Sequence, residues 1–253
     1  MIGDFILVEK LKSKILIIGH RGANSIAPEN TMKSFRKAIE LGADCIEFDV
    51  HESKDGKLVV MHDEDIFRVT GQKYHALIKD MTLEELKELD CGEGETIPTF
   101  NELITLTKGK VGLNCEVKAE GIAKKIVDII KEADIIETTI VSSFKHQELF
   151  EIQKLEPKIK LASLEPAGSG RLSHWENKEA MINKAVKNQF YAINPLYKLV
   201  DKPFMEYAHK SNLKVFPWTV DSGIAMKKLI NLSPDGIITN NISRLKEALK
   251  NFD

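Results

Sequence analysis

Eight short apolar runs alternate with amphipathic helical stretches along almost the whole chain, and this alternation constrains the fold most. The runs are bounded by polar or turn residues, as is typical of parallel strands that are covered on both faces. We predict strands at Ile15–Gly19, Cys45–Val50, Val111–Val117, Thr139–Ser143, Lys160–Leu164, Tyr191–Asn194, Lys214–Thr219 and Gly236–Thr239. We predict helices at Thr31–Leu41, Ile122–Glu132, His146–Leu155, Lys178–Val186, Pro203–Lys210, Ile224–Leu232 and Ser243–Lys250. Eight such strands in 253 residues indicate an α/β fold, the (β/α)₈ TIM barrel.

One further apolar run, Leu58–Met61, does not fit this count. It follows the second strand too closely for a parallel crossover, which needs roughly a dozen residues. The connector contains Asp55-Gly56, a pair favoured in two-residue hairpin turns. We therefore predict an antiparallel arm over Leu58–His62, with a register that places His62 directly opposite Asp49.

The stretch from residue 63 to residue 110 is predicted to be an insertion after this arm. It contains a short predicted helix, Leu83–Leu89, which Thr82 and Glu85 would start with a capping box. The stretch is too small for an independent domain. We therefore expect residues 1–253 to form a single barrel domain, with residues 63–110 as a cap over one of its mouths.

Composition and charge exclude several classes of protein. Lys and Arg number 36 and Asp and Glu 38, so the chain lacks the basic excess that nucleic-acid binding needs. The three cysteines, Cys45, Cys91 and Cys115, are widely spaced and favour neither a disulfide framework nor a structural zinc site. No run approaches the ~18 apolar residues of a transmembrane segment. We expect a cytoplasmic protein, and the sequence leaves its oligomeric state open.

Carboxylates lie near the carboxyl ends of two predicted strands, which is where TIM-barrel active sites are built. Glu47 and Asp49 share a face of the second strand, and Glu116 lies on the next barrel strand. Three carboxylates that converge inside a barrel repel one another unless a cation joins them. Oxygen ligands with open positions suit a hard divalent ion, Mg²⁺ or Ca²⁺. Zinc is disfavoured because it normally takes His or Cys ligands, and we expect the cysteines to face the other way.

Two histidines and two cationic side chains lie at the same predicted mouth. His20 ends the first strand, and the hairpin arm returns His62 to the site. Imidazoles beside a metal suit general acid–base catalysis, because their ordinary pKa lies near the working pH. Arg21 and Lys118 add a forked guanidinium and an ammonium, which suit a phosphate-bearing substrate. Together these residues predict phosphoryl-transfer chemistry.

With these residues assembled, the sequence resembles the glycerophosphodiester phosphodiesterase family. The likeness covers nearly the whole chain, and the set of motifs in this order is highly specific although each block alone is weak. The matching blocks are Gly19-His20-Arg21-Gly22, Pro28-Glu29-Asn30-Thr31, Ser34-Phe35, Gly42-Ala43-Asp44, Glu47-Phe48-Asp49-Val50, Asp55-Gly56, His62-Asp63 with Arg68 and Thr70, Glu116-Val117-Lys118, Trp218-Thr219-Val220 and Asp235-Gly236-Ile237-Ile238-Thr239.

The resemblance implies a barrel with a small insertion after the second strand. It also implies hydrolysis of a small-molecule glycerophosphodiester to glycerol 3-phosphate and an alcohol, with a bound divalent metal ion, Mg²⁺ or Ca²⁺. The residues that match the family's functional positions are His20 and His62 as catalytic histidines, Glu47, Asp49 and Glu116 as metal ligands, Arg21 and Lys118 as phosphate contacts, and Trp218 as an aromatic that packs on the substrate. The resemblance leaves open which histidine is the acid, and whether the nucleophile is water or the adjacent glycerol hydroxyl.

Two departures and two alternatives qualify this interpretation. The family often has Asn where this chain has Asp221, and Asp where it has Asn240. We expect these departures to affect the barrel mouth and substrate choice rather than the metal or proton chemistry. A phosphodiesterase for lysophospholipids would need an apolar track, for which Pro195-Leu196-Tyr197 and Leu199-Val200 are candidates. A non-catalytic phosphodiester-binding barrel is disfavoured, because such a protein has no use for two imidazoles beside a cation.

Overall fold

The computed structural model describes residues 15–167 and 174–252, so parts of the expected single domain (residues 1–14, 168–173 and 253) lie outside this description. Within the described residues the chain forms a (β/α)₈ barrel, as predicted. Eight strands pair in parallel and a ninth, β3, pairs with β2 in antiparallel fashion. The strands are β1 (Leu16–His20), β2 (Cys45–Glu52), β3 (Leu58–Val60), β4 (Gly112–Val117), β5 (Thr139–Ser143), β6 (Lys160–Glu165), β7 (Ala192–Pro195), β8 (Lys214–Val215) and β9 (Gly236–Thr239).

Hydrogen bonds from residues beyond the end of the regular strand β8 complete the closure of the barrel. The parallel order is β8-β7-β6-β5-β4-β2-β1-β9. Between its two ends, the amide of Ile238 donates to the carbonyl of Pro217 and the amide of Val220 to the carbonyl of Ile238, at 3.0 and 2.9 Å. Pro217 has no amide proton, so it cannot continue a regular ladder. The strand predicted over Lys214–Thr219 is therefore regular only over its first two residues.

Helices follow the barrel strands as the apolar periodicity predicted. They are α1 (Met32–Glu40), α2 (Leu83–Lys87), α3 (Phe100–Thr107), α4 (Ala123–Glu132), α5 (His146–Leu155), α6 (Trp175–Lys187), α7 (Lys202–Lys210), α8 (Gly223–Ile230) and α9 (Ile242–Lys250). The capping box of Thr82 and Glu85 at the start of α2 is confirmed. Sequence reasoning missed α3, although Thr99 and Glu102 carry the same capping signature and close the same box. Within the described residues, no helix is long and apolar enough to span a membrane.

Apolar and polar side chains divide the inside of the barrel into two levels. Near the amino ends of the strands, Ile18, Ile140, Phe216 and Ile238 pack together with Cys45 in a buried interior cluster. Nearer the carboxyl ends the inward positions are polar. The larger apolar core lies between the outer face of the sheet and the helices. Because the apolar cluster fills the barrel near the amino ends of the strands, the cavity inside the described part of the barrel lies toward their carboxyl ends.

The position of Cys45 corrects one expectation. Cys45 shares the inner face of β2 with Glu47, because side chains two residues apart point the same way. Burial raises its thiol pKa and keeps it protonated. Only Cys115 faces the outer core, as the sequence argument required of both. What keeps Cys45 from the carboxylates is therefore its depth in the apolar cluster and not its face.

The hairpin register that the sequence predicted is wrong by one residue. Met61, and not His62, lies opposite Asp49, and its amide donates to the carbonyl of Asp49 at 3.0 Å. The loop has three residues instead of two, because the ends of Ser53–Lys57 pair through an amide-to-carbonyl bond of 2.9 Å. Gly56 takes the left-handed conformation that such a loop requires at its last position (φ 76°). Strand β3 then ends at Val60, so the chain beyond it, and not the strand register, delivers His62 to the barrel mouth.

The stretch after β3 packs on a small apolar cluster of its own. Val59 and Met61 alternate with residues that face the main core, and their side chains contribute to this second cluster. Its remaining buried members come from the insertion: Ile66, Ile78, Leu86 and Ile97. The insertion is thus built around the outer side of the hairpin arm, next to the carboxyl end of β2.

Candidate active site

The carboxyl ends of the barrel strands surround a cavity of about 90 Å³. Asp49 is fully buried beside it, and its carboxylate lies 3.4 Å from Nε of Arg21. The structure therefore brings all the predicted site residues together. Those that line the cavity are His20, Arg21, Glu47, His62, Glu116, Lys118 and Trp218.

Three carboxylates form the floor of this site. Oxygens of Glu47, Asp49 and Glu116 lie within 4.8 Å of one another, and all three side chains are buried. Burial, reinforced by the Asp49 carboxylate, raises the pKa of Glu47 well above its usual range and that of Glu116 to about 7. Oδ1 of Asp49 is buried without a hydrogen-bond partner among the described residues. A cluster of repelling oxygens that includes a buried oxygen without a hydrogen bond fits a hard divalent cation.

Two cations lie against these carboxylates. The ammonium of Lys118 lies 2.9 Å from Glu116 and 3.7 Å from Asp49. Burial opposes the ionisation of Asp49, but Arg21 and Lys118 outweigh it and lower the pKa of this carboxyl. One carboxylate of the cluster is thus held ionised, and the two cations remain at the cavity wall, where a phosphate can reach them.

The turn after β1 explains why the motif contains Arg21 and Gly22. Arg21 adopts a left-handed backbone conformation (φ 53°), and its amide donates to Glu47 at 2.9 Å. Gly22 also has a positive φ of 86°, and a Cβ there would lie 2.4 Å from Oγ of Ser34. Only glycine fits such a close approach. This tight turn directs the Arg21 side chain back over the carboxylates.

A chain of ion pairs connects Arg21 with His62. Glu29 accepts hydrogen bonds from Arg21 at 2.8 Å and from both terminal nitrogens of Arg68 at 2.7 and 2.9 Å. Arg68 also donates from Nε to Asp63 at 2.6 Å, and Asp63 lies 2.5 Å from Nδ1 of His62. Burial opposes the ionisation of Asp63, but Arg68 and His62 outweigh it and lower its pKa to about 2. The ionised carboxylate therefore holds a proton on Nδ1 of His62.

His20 has a neutral partner instead. Its Nδ1 lies 2.7 Å from the amide oxygen of Asn240, and its Nε2 lies 3.9 Å from Glu47. Burial, followed by the charge of Arg21, lowers the pKa of His20 to about 4. Asn240 is itself bonded to Asp221. The expectation that these two departures from the family pattern avoid the proton chemistry is therefore wrong, because both are connected to His20.

An aromatic pair lines the far side of the cavity. Trp218 packs edge-on against Phe144 with ring centroids 5.5 Å apart, and its indole N–H donates to the carbonyl of Asn194 at 2.8 Å. Sequence reasoning missed Phe144, although it directly follows β5 and so lies at a strand end. It gave no role to Asn30, a residue of the matching motifs, whose amide donates to Asp49 at 2.9 Å. Neither side chain carries a charge, so the sequence alone does not mark either as a site residue.

A larger cavity of about 560 Å³ adjoins the site at Lys118. It opens between the ends of β2 and β4 and the insertion, and most of its lining is charged: Glu52, Lys54, Glu64, Lys79, Lys118, Glu120 and Lys145. Of the apolar track considered from the sequence, Leu199 and Val200 are 4% and 1% exposed and belong to the core, whereas Leu196 and Tyr197 are partly exposed. The space beside the site is therefore polar.

Comparisons with known proteins agree with this geometry. A family model described as the glycerophosphoryl diester phosphodiesterase family matches residues 20–244. A glycerophosphodiester phosphodiesterase from Caldanaerobacter subterraneus subsp. tengcongensis is 39% identical over 90% of this chain and 95% of its own. The crystal structure of a protein from Silicibacter pomeroyi has the same fold, with a TM-score of 0.87 at 22% identity, and the superposition covers 97% of each chain. An Oleispira antarctica phosphodiesterase in complex with its product sn-glycerol-3-phosphate has a TM-score of 0.79 at 25% identity, over 96% of this chain and 99% of that one.

Proposed function

Since this chain belongs to the glycerophosphoryl diester phosphodiesterase family and is an enzyme, we propose that it hydrolyses glycerophosphodiesters to glycerol 3-phosphate and an alcohol. One observation carries the proposal: three buried carboxylates, two histidines and two cations line or adjoin one small cavity. The product-bound relative of the same fold supports the identity of the product.

The carboxylate cluster is proposed to hold one divalent metal ion. Glu47, Asp49 and Glu116 would be its ligands, and Mg²⁺ and Ca²⁺ are the ions that an all-oxygen set suits. The raised pKa of Glu47 and Glu116, caused first by burial and then by Asp49, supports this assignment, since a cation would relieve the same repulsion. Such an ion, when bound, supplies positive charge to the oxygens of the phosphate.

Arg21 and Lys118 are proposed to bind and orient the phosphate. Both side chains line the cavity, and each already contacts Asp49 across its wall, at 3.4 and 3.7 Å. A guanidinium offers two parallel donors to a phosphate, whereas an ammonium acts as a point charge. Trp218 and Phe144 close the opposite side, so they would exclude water from the glycerol half.

The two histidines are proposed to divide the proton transfers between them. The hydrogen bond between Nδ1 of His62 and the Asp63 carboxylate fixes the orientation of the ring, which suits His62 to the role of the acid that protonates the departing alkoxide. His20 faces a neutral amide oxygen through Nδ1, which suits the base that accepts a proton at Nε2. That proton comes from the nucleophile, for which water and the glycerol hydroxyl next to the phosphate are both chemically suitable.

The preferred substrates are proposed to be small and polar. The charged cavity of about 560 Å³ is the space into which the alcohol half can extend past Lys118. An acyl chain would have to displace water from lysines and glutamates there, and desolvating unpaired charges is costly. We therefore place glycerophosphodiesters ahead of lysophospholipids.

The barrel and its insertion, residues 63–110, are proposed to act as a single domain. The three free cysteines support a reducing, cytoplasmic setting.

Release of glycerol 3-phosphate from glycerophosphocholine by the purified chain tests this proposal. We expect turnover that EDTA abolishes and Mg²⁺ or Ca²⁺ restores, with little choline released from lysophosphatidylcholine. His209→Ala is the matched control for alanine variants of His20 and His62, because His209 is a half-exposed histidine that pairs with Asp235 and lies outside the cavity. Binding of glycerophosphocholine without any turnover would instead identify a non-catalytic barrel.

A further inference from the structure

Asp221 determines which way the side-chain amide of Asn240 points. Its carboxylate accepts hydrogen bonds from the Asn240 side-chain nitrogen at 2.7 Å, from the Asn240 backbone amide at 2.8 Å and from Oγ1 of Thr239 at 3.1 Å. An ionised carboxylate accepts hydrogen bonds and donates none. The NH₂ group of Asn240 must therefore face Asp221, and its carbonyl oxygen must face the opposite way.

That carbonyl oxygen in turn determines the tautomer of His20. It lies 2.7 Å from Nδ1 of His20 and also accepts a hydrogen bond from the side chain of Asn24 at 2.9 Å. Because a carbonyl oxygen only accepts, Nδ1 of His20 must carry the ring proton. In the neutral imidazole the other nitrogen, Nε2, then has a free lone pair. Nε2 is the atom on the cavity side, 3.9 Å from Glu47.

We propose that Asp221 and Asn240 form a positioning relay that fixes the tautomer and ring orientation of His20. Neither residue reaches the reacting atoms. The relay acts through His20, so that its unprotonated nitrogen always faces the substrate. This inference rests on the proposed function only for its kinetic consequence, because the tautomer itself is a property of the resting protein. Asp221 lies in the segment after β8, and through Asn240, directly after β9, it acts on a β1 side chain that lies 201 positions earlier in the sequence.

Exchanging the two side chains separates the relay from a purely structural role. Asn240→Asp sets two carboxylates against each other, and Asp221→Asn removes the constraint on the Asn240 amide. Each single change is expected to lower kcat by roughly 10- to 10³-fold with little change in KM, since the loss cannot exceed that of the base itself. In the double exchange, the amide introduced at position 221 donates to the carboxylate introduced at position 240, whose oxygens still face His20. We expect its kcat to lie within about threefold of wild type, a strong departure from additivity.

A spectroscopic readout tests the tautomer without any turnover. In protein labelled with ¹⁵N-histidine, long-range ¹⁵N–¹H correlations show which ring nitrogen is protonated, and the His20→Ala variant identifies the signals. We expect a proton on Nδ1 of His20 in the wild type and in the double exchange, and a mixture of tautomers in Asn240→Leu. Asn231→Asp is the matched control, because Asn231 is an exposed amide at the end of α8, and it should change neither readout.

The outcomes distinguish the relay from the proposed function. A wild type that releases no glycerol 3-phosphate contradicts the function, while the spectra still test the relay. A double exchange that is as slow as the slower single variant overturns the relay. So does a wild-type spectrum with the proton on Nε2 of His20, or an Asn240→Leu spectrum identical to that of the wild type.

Discussion

Replacing Glu47 by Gln should separate the cost of the empty carboxylate cluster from the benefit of a bound metal. The three carboxylates approach within 4.8 Å of one another. At that distance and an effective dielectric constant of about 20, two unit charges repel by roughly 3 kcal/mol. Arg21 and Lys118 offset part of this repulsion, but the pKa of Glu47 is still raised, first by burial and then by Asp49. In the absence of metal, Glu47→Gln should therefore be at least as stable as the wild type.

A metal ion should reverse this order. An ion that binds only the folded state stabilises it by about 2.7 kcal/mol when present at 100 times its Kd. For a chain of this size each kcal/mol shifts Tm by roughly 2–4 °C, so the wild type should gain about 5–10 °C. Glu47→Gln loses both a ligand oxygen and a charge, and its Tm should hardly respond. The two melting curves should therefore change order between EDTA and saturating metal.

Differential scanning fluorimetry in EDTA, Mg²⁺ and Ca²⁺ measures both effects in the same samples. Glu165→Gln serves as the matched control: it removes a buried carboxyl whose pKa is also raised by burial, but which lies outside the cluster. It should retain the full metal-dependent rise. A rise of normal size in Glu47→Gln would remove Glu47 from the ligand set, and no rise in the wild type would refute the metal site itself.

The remaining expectations concern the two sides of the cavity. His62→Ala should lower kcat/KM for glycerophosphocholine by roughly 10²–10⁴-fold, but it should spare bis(p-nitrophenyl) phosphate, whose leaving group needs no proton. His20→Ala should lower kcat/KM for both substrates. Equal losses for both variants with both substrates would contradict divided roles. Phe144→Ala should raise KM for glycerophosphocholine more than it lowers kcat, and an unchanged KM would remove Phe144 from the substrate contacts. Burial opposes the ionisation of Asp63, but Arg68 and His62 outweigh it and lower its pKa to about 2. The ionised Asp63 carboxylate therefore stabilises the fold above about pH 4, and this stabilisation is lost as the pH falls towards 2. Asp63→Asn should therefore lose at most about 1 kcal/mol at pH 7, because the pair is partly exposed, and the difference from the wild type in urea unfolding should vanish near pH 2.

Much of the fold was predictable from the sequence, because the hydrophobic periodicity of each segment indicates its secondary structure. A strand covered on both faces is continuously apolar, and a helix on its outer side repeats every 3.6 residues, so burial leaves a signal within each segment. The helix His146–Leu155 was predicted with its observed bounds for this reason. Helix α3 carries a local signal of the same kind, because Thr99 and Glu102 form a capping box at its start.

The site residues were accessible for a similar reason. Parallel strands end at the same side of a barrel, so chemistry-bearing residues at strand ends must meet there wherever they lie in the sequence. This rule alone predicts that His20, Glu47 and Glu116 meet at the barrel mouth. The same rule places Phe144, which directly follows β5, at the mouth, but an uncharged side chain indicates no particular role from the sequence.

The sequence by itself thus determined the barrel, its open end and the kinds of side chain that meet there. The tertiary structure alone decided the one-residue register of the hairpin and the hydrogen-bond partner of each histidine. The physical reason is that the register and the histidine partners depend on contacts between different segments of the chain. The sequence pattern of one segment carries no information about the energy of such a contact. Asn240 contacts His20 across 220 residues, and its amide points the way it does only because Asp221 lies behind it. Periodicity records which face of a segment is buried, but it does not record which atom that face meets.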